Sequence, residues 1–390
     1  MDVRLIFTGQ LPMPHKKHSA EEEQAPRSGR PRAHISGLTT QNDLPLGPRI
    51  GIEHIVIDGR LVSVRELSVV EKSFGRLLHF EADLTGQRPP ILLVAPLSGM
   101  RAEILYDMIL GLLPWHDVYC LVWKDAADVP AGDGPFRLED NITYVVETIR
   151  YLGAGTHVIG LCQSALPALA AAAILSEDLG RPATLTLLGG KLDTRINPTR
   201  VDLLTRSLPP AWFENCAIST VPASRRGHGR RVYPGSTELM MLSTYLFRHC
   251  ASGGELLAKI FQDDGSDAVG HPFLRLFCQT YDVPAEFFLD TVALVFQQSA
   301  LAEGHLAWQG TTITPERITG TALLTIEGEA DDISGPGQTR IAHDLCEGIP
   351  AERRGHLLCP HTGHVGLFFG SRWRQEVLPH ISRFIRENGN

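Results

Sequence analysis

No two of the seven cysteines (Cys120, Cys162, Cys216, Cys250, Cys278, Cys346 and Cys359) stand close together in the 390-residue sequence. An odd count without paired spacing offers no disulfide framework and fits a reducing, cytoplasmic setting. With no Cys-x-x-Cys pair and no tight Cys/His set, a metal site is not expected either. No apolar run reaches the roughly 20 residues that a membrane helix needs. The opening MDVRLIFTGQLPMPHKKH has too short an apolar run for a signal sequence and no small-residue cleavage site, so a soluble protein inside the cell is expected. Positive charge is not in excess. The 36 Lys and Arg against 44 Asp and Glu give a formal charge of −8, which argues against generalised nucleic-acid binding. The local cluster Arg225, Arg226, Arg230 and Arg231 could meet an anion but reads more simply as a solvated loop.

What remains is an ordinary globular composition, 43% hydrophobic and 21% charged, enough for one large core with an insertion. Residues 1–48 are polar, rich in Lys, Arg, Glu, Pro and His, and lack a hydrophobic period, which predicts a disordered tail. From Gly51 a hairpin is expected across Asp58-Gly59, joining Ile52 to Ile57 with Arg60 to Leu67. Strands are expected at His79 to Ala82, Pro90 to Ala95, Val118 to Trp123, His157 to Ile159 and Thr184 to Leu188. Between them, helices are expected at Ala102 to Leu113 and Asn141 to Leu152. Continuous apolar strands alternating with helices indicate βαβ crossovers and a mostly parallel sheet.

Residues 49–192 thus read as the first part of an α/β core. The alternation stops over 193–320, where helical periods at Thr237 to Cys250, Gly254 to Phe261 and Pro284 to Gln298 predict a mainly helical cap over the strands' C-terminal edge. Its aromatics, Trp212, Phe213, Phe261, Phe287, Phe288 and Phe296, suggest a small core of its own. Residues 321–390 resume the core with strands at Thr321 to Glu327 and His356 to Cys359 and helices at Gln338 to Cys346 and Trp373 to Glu387.

The chain is organised around Thr156 to Ser176, THVIGLCQSALPALAAAAILS: a β-branched run, a turn, then Ala- and Leu-rich helix. The turn reads Gly-x-Cys-x-Ser where a nucleophile elbow reads Gly-x-Ser-x-Gly, with Cys162 at the apex and Ser164 in the small-residue position. A helix apolar nearly all round must be buried, so only its N-terminal end is left for chemistry, and that end favours a thiolate. The other six cysteines are expected to pack.

Chain order supplies partners. In α/β-hydrolases the triad runs nucleophile, acid, histidine. A carboxylate follows the strand ALLTIEG in Gly328-Glu329-Ala330-Asp331-Asp332, and a histidine follows the next strand in Cys359-Pro360-His361-Thr362-Gly363-His364. Spacing favours Asp331 over Asp332 and His364 over His361. His364 would hold the proton of Cys162 and Asp331 would orient the ring. The N–H groups of Gln163 and of Leu97 or Ser98 would form the oxyanion hole.

These residues resemble the intracellular polyhydroxyalkanoate (polyhydroxybutyrate) depolymerases from about Gly51 to Ile385, through VAPLSGM, LLPWHDVYCLVWKDA, HVIGLCQSALPALAA, GGKLDTRINPT, WFENCAISTVPASRRGHGRRVYPG, FFLDTVALVFQQ, TIEGEADDISGPGQT and TGHVGLFFGSRWR. The resemblance implies an α/β-hydrolase fold with a helical cap and a Cys-His-Asp triad on Cys162, His364 and Asp331. It also implies cleavage of amorphous polyester at cytoplasmic storage granules. No tightly bound cofactor follows from it; coenzyme A would enter only as the acyl acceptor in a thiolysis. Met100 stands where the resemblance leads one to expect His after Ser-Gly, and Ser164 where Pro often follows Cys-Gln. Two other functions fit the same elbow: a polyhydroxyalkanoate synthase-like acyltransferase, and a non-catalytic granule-associated paralogue. Oligomeric state has no signature in the sequence.

Overall fold

The structure, a computed structural model, describes residues 49–241 and 279–389. Its strands are β1 (His54–Ile57), β2 (Arg60–Glu71), β3 (Gly75–Ala82), β4 (Pro90–Val94), β5 (Asp117–Trp123), β6 (His157–Leu161) and β7 (Thr184–Leu188), then β8 (Ser219–Thr220), β9 (Arg231–Tyr233), β10 (Val283–Pro284), β11 (Ala307–Trp308), β12 (Thr311–Thr312), β13 (Ala322–Gly328) and β14 (Arg354–Cys359). Nine of them form one sheet in the order β1-β2-β3-β5-β4-β6-β7-β13-β14. The first three strands and the β3/β5 pair are antiparallel, and every pairing from β5 to β14 is parallel. Every residue of β6, β7 and β13 is buried, as continuous apolar strands covered on both faces must be. The outlying β1 and β2 instead alternate between covered and exposed positions.

Helices α1 (Tyr106–Leu112), α2 (Leu138–Leu152) and α3 (Ala165–Ile174) cross over between the parallel strands. Residues 165–173 of α3 are all buried, in keeping with a helix that has no polar face. The α2 helix begins three residues before the expected Asn141. Asp140 accepts the Arg137 N–H at 2.7 Å and Asp290 accepts the Leu138 N–H at 3.3 Å, and Glu139 and Asp140 lie within its first turn.

Between β7 and β13 the described residues combine helices with short strands. Helices α4 (Arg200–Ser207) and α5 (Pro210–Cys216) are followed by a three-stranded sheet, β8-β9-β10, and later by the β11/β12 hairpin. The expected Pro284 to Gln298 helix is an α-helix over Ala285–Asp290 that widens to π-type turns over Thr291–Gln297. Of the expected Thr237 to Cys250 helix, 235–241 is helical; the remainder, the Gly254 to Phe261 helix with Phe261, the residue 1–48 tail, Cys250 and Cys278 lie outside the described residues. The aromatics are not a separate core: Phe287 joins the main one, while Trp212 is 43% exposed.

The arginine cluster is not a solvated loop throughout. Arg230 is buried, donates to the carbonyls of Val129 (3.0 Å), Gly134 (2.7 Å) and Pro130, and lies over the Phe74 ring. A planar guanidinium can satisfy three carbonyls at once, which is why burial is tolerated here. Arg225 pairs with Asp125 and Asp128, and Arg231 with Glu214. The expected Gln338 to Cys346 helix shortens to Ala342–Leu345, because the buried Glu327 carboxylate gathers the N–H groups of Gly337, Thr339 and Arg340 into a tight turn ahead of it. No helix among the described residues is long and apolar enough to cross a membrane.

Candidate active site

At the end of β6 the backbone is extended through Leu161, reverses at Cys162 and enters a 3-10 turn (Cys162–Ser164) that leads into α3. Cys162 has φ 54°, in the left-handed region that costs a non-glycine residue roughly 1–2 kcal/mol. Its neighbours must be small for this turn to close. A Cβ on Gly160 would lie 2.7 Å from the Ala168 Cβ and 2.9 Å from the Ser164 carbonyl, and one on Gly190 would lie 2.2 Å from the Ala165 Cβ. Cys162 is partly exposed at the apex.

The acid and the histidine lie on loops that continue the β13/β14 pairing beyond the strands. Glu329 N–H donates to the Cys359 carbonyl (2.9 Å) and Ala330 N–H to the Thr362 carbonyl (3.0 Å). The approach is close enough that a Cβ on Gly328 would be 2.4 Å from the Thr362 oxygen. Asp331 is thereby turned inward, its Oδ1 accepting the N–H groups of Ile333 (2.9 Å) and Ser334 (2.8 Å). Its Oδ2 is 2.7 Å from His364 Nδ1, with both side chains almost wholly buried. That bond leaves Nε2 as the ring nitrogen free of Asp331. Nε2 is buried and makes no well-formed hydrogen bond, while Cys162 is among the groups that act on the ring's charge. Burial alone would push the imidazole down; the charges of Asp331 and Cys162, with the Asp331 hydrogen bond, outweigh it and raise the ring well above its ordinary value. Phe368 packs edge-on against the ring at 5.7 Å, and Gly189, in the left-handed region with φ 52°, lets it approach β7.

The rival residues lie elsewhere. His361 is 80% exposed and pairs with Glu329 at 3.4 Å, and His364 rather than His361 meets Asp331. Asp331 rather than Asp332 meets His364. Of the other cysteines, Cys120, Cys346 and Cys359 pack in the core, where burial pushes all three thiols up, the latter two to about 12; Cys216 is exposed rather than packed.

The expected oxyanion loop is fixed at both ends. Trp123 Nε1 donates to the Ala95 carbonyl (2.7 Å), and Tyr281 N–H donates to the Gly99 carbonyl (2.8 Å), beside a bridge between Met100 and Thr280. Ser98 is partly exposed. Leu97 is buried, and its N–H donates to the side-chain oxygen of Gln163 at 2.7 Å. Sequence reasoning did not find Trp123, Thr280, Tyr281 or Lys191 as supports of the site. Lys191 did carry a signal, a lone charge just beyond an apolar strand in Leu188-Gly189-Gly190-Lys191. Its Nζ donates to Asp202 Oδ1 (2.5 Å) and to the Ile333 carbonyl, behind the Asp331 turn. Among the described residues, no group of three or more His, Cys, Asp or Glu is placed to hold a metal.

A parallel sheet in this strand order, with the elbow after β6, a buried carboxylate after β13 and a histidine after β14, defines an α/β-hydrolase. The family model described as the PHB de-polymerase C-terminus matches residues 189–389, more than half of the chain. The protein belongs to the PHB depolymerase family and is an ester hydrolase. Asp331 and His364 fall within the matched span, and Cys162 precedes it. No curated protein sequence matches the chain. Among solved structures the chain is similar to a bromoperoxidase from Bacillus anthracis, at 13% identity over 83% of this chain and 100% of that one with a TM-score of 0.47. It is similar also to a hydrolase from Pseudomonas aeruginosa PA01 (14%, 83% and 98%, 0.48) and to naproxen esterase from Bacillus subtilis (14%, 83% and 92%, 0.43). The strand order and the family match, rather than these distant overlaps, carry the assignment.

Proposed function

We propose that the protein cleaves the backbone esters of poly(3-hydroxyalkanoate), poly(3-hydroxybutyrate) among them, by way of an acyl-enzyme on Cys162. His364 and Asp331 complete the triad. The observation that carries this reading is the buried 2.7 Å contact between Asp331 and His364 Nδ1, which leaves Nε2 for Cys162, a group that acts on the charge of the ring.

In this mechanism the thiol proton rests on His364 and the thiolate attacks the ester carbonyl, the carbonyl electron pair moving onto oxygen. Backbone N–H groups of Gln163 and of Leu97 or Ser98 stabilise that oxyanion, each worth roughly 3 kcal/mol in comparable sites. When the tetrahedral intermediate collapses, the alkoxide of the departing chain takes the proton from His364 and leaves as a 3-hydroxyl end. A water activated by the now neutral imidazole, or the thiol of coenzyme A, then attacks the thioester and releases the 3-hydroxyacid or its CoA ester. The reading places the protein in the cytoplasm at the surface of amorphous polyester granules.

The test is release of 3-hydroxybutyrate, free or as its CoA ester, from amorphous polyhydroxybutyrate granules with and without CoA, with Cys162→Ala as control. Release that vanishes in the variant supports the triad, and its CoA dependence names the acceptor. Equal inactivity of both proteins on granules of several side-chain lengths would overturn it in favour of a binding role, and turnover of 3-hydroxyacyl-CoA alone into polymer would favour a synthase.

A further inference from the structure

Resting on the reading of Cys162 as nucleophile, we propose that the Gln163 side chain is a built-in occupant of the oxyanion hole, which the reacting carbonyl must displace. The loop from Pro96 to Met100 is pinned by Trp123 at one end and by Tyr281 and Thr280 at the other, so the direction of the Leu97 N–H is set by the fold. Where that N–H points, at 2.7 Å, lies Gln163 Oε1. Because the facing group is a donor, the amide must present its oxygen there. An oxyanion-hole donor lies 2.7–3.1 Å from the oxygen it will stabilise. The amide oxygen therefore stands where the substrate oxygen would stand, one residue from the nucleophile.

The chemistry of the two oxygens gives this arrangement a consequence. An amide oxygen accepts hydrogen bonds better than the carbonyl oxygen of an ester, so a ground-state ester competes poorly for Leu97. The oxyanion formed on attack by Cys162 is a charged acceptor and a stronger partner than either. Gln163 thus yields to the transition state and not to the bound ester, so the exchange of acceptors at Leu97 falls on the chemical step.

The probe is a short 3-hydroxyaldehyde. Cys162 Sγ bonds to its carbon, the carbonyl pair moves onto oxygen, and the thiol proton passes by way of His364 to that oxygen or stays on the ring. In Gln163→Met, which keeps the side-chain length but has no acceptor of comparable strength, the aldehyde should bind more tightly by about three- to tenfold, the worth of one net hydrogen bond. Gln163→Ala should shift it the same way and serves if the Met variant does not fold. The rate of Cys162 alkylation by iodoacetamide, followed on the Cys162 peptide, needs no oxyanion hole and should stay at the wild-type value. If Gln163 only braces the loop, both variants will bind the aldehyde more weakly, and weaker or unchanged binding overturns the proposal. Ester cleavage retained by Cys162→Ala would instead overturn the reading of the site beneath it.

Discussion

Ser164 Oγ lies 2.6 Å from the Val94 carbonyl of β4 and accepts the Leu161 N–H at 2.9 Å, tying the two strands that meet beneath the elbow. The hydroxyl is buried at the position where an elbow wants a small residue. Ser164 is therefore not an idle filler: it closes the turn that holds Cys162 at φ 54°. Ser164→Ala removes both bonds and leaves the Leu161 N–H buried and unpaired. Urea unfolding should show a loss of about 1–3 kcal/mol. Ester hydrolysis per folded molecule should fall less than it does in any triad variant. An unchanged midpoint would mean that water takes over the hydroxyl's role.

In the proposed mechanism Asp331 acts on the reaction through the charge it lends to His364. Asp331→Asn removes that charge and offers an amide in its place, and kcat should fall by roughly 10³- to 10⁴-fold, as when the equivalent carboxylate of a serine triad is lost. The pH dependence gives a sharper test. The His364 ring is held well above its ordinary value against the opposing effect of burial, by Asp331 and Cys162 together. Without the Asp331 charge the ring loses its proton at lower pH, so the alkaline limb of the activity profile should move toward neutrality. Following Cys162 alkylation across the same range would show whether the imidazolium–thiolate pair shifts with it. A limb that stays in place would show that Asp331 orients the ring without setting its charge.

The parallel strands were legible because a strand buried on both faces is a continuous apolar run, as in Leu92-Leu93-Val94 and Val158-Ile159. The meeting of Asp331 with His364 was legible because the fold fixes where loops leave the sheet. Contacts between distant segments were not. β9 pairs with β10 through Tyr233 and Val283, and each strand is too short to alternate. The burial of Arg230 depends on three carbonyls near residue 130, and no local pattern announces it. The Gln163 to Leu97 contact joins two residues that reasoning from motifs treats only as backbone donors.

His116 and His157 form a buried edge-on pair, 5.6 Å between ring centres, near the N-terminal end of β6. Burial pushes each down to about 4, with the neighbouring ring adding to the effect on His157. Both rings are neutral when folded and would take up a proton near 6.5 when unfolded. The sign follows: their contribution to stability is complete above pH 6.5 and is lost as pH falls toward 4, by up to roughly 3 kcal/mol for each ring. Chemical denaturation between pH 7 and 4.5 should show this decline. In His157→Gln the slope should flatten, even though losing the bond to Thr184 lowers stability at pH 7. A slope as steep as in wild type would assign the acid sensitivity to other groups.

Lys191 holds two parts of the molecule at once. Its ammonium pairs with Asp202, a carboxylate with no exposure whose other oxygen accepts from the Thr199 N–H (2.8 Å), the Thr199 hydroxyl (2.9 Å) and Gln338 Nε2 (2.8 Å). The same ammonium donates to the Ile333 carbonyl, and the Ile333 N–H donates to Asp331 Oδ1. Lys191→Met leaves the Asp202 charge buried without its cation, which should cost about 3–5 kcal/mol in unfolding measurements. Adding Asp202→Asn removes the orphaned charge and should restore most of that stability. It cannot restore the bond to Ile333, so kcat on a soluble 3-hydroxybutyrate ester should stay low in the double variant while KM changes little. This split separates the two roles. Recovery of kcat together with stability would mean that the Asp331 turn keeps its geometry without Lys191, and that the lysine serves the fold alone.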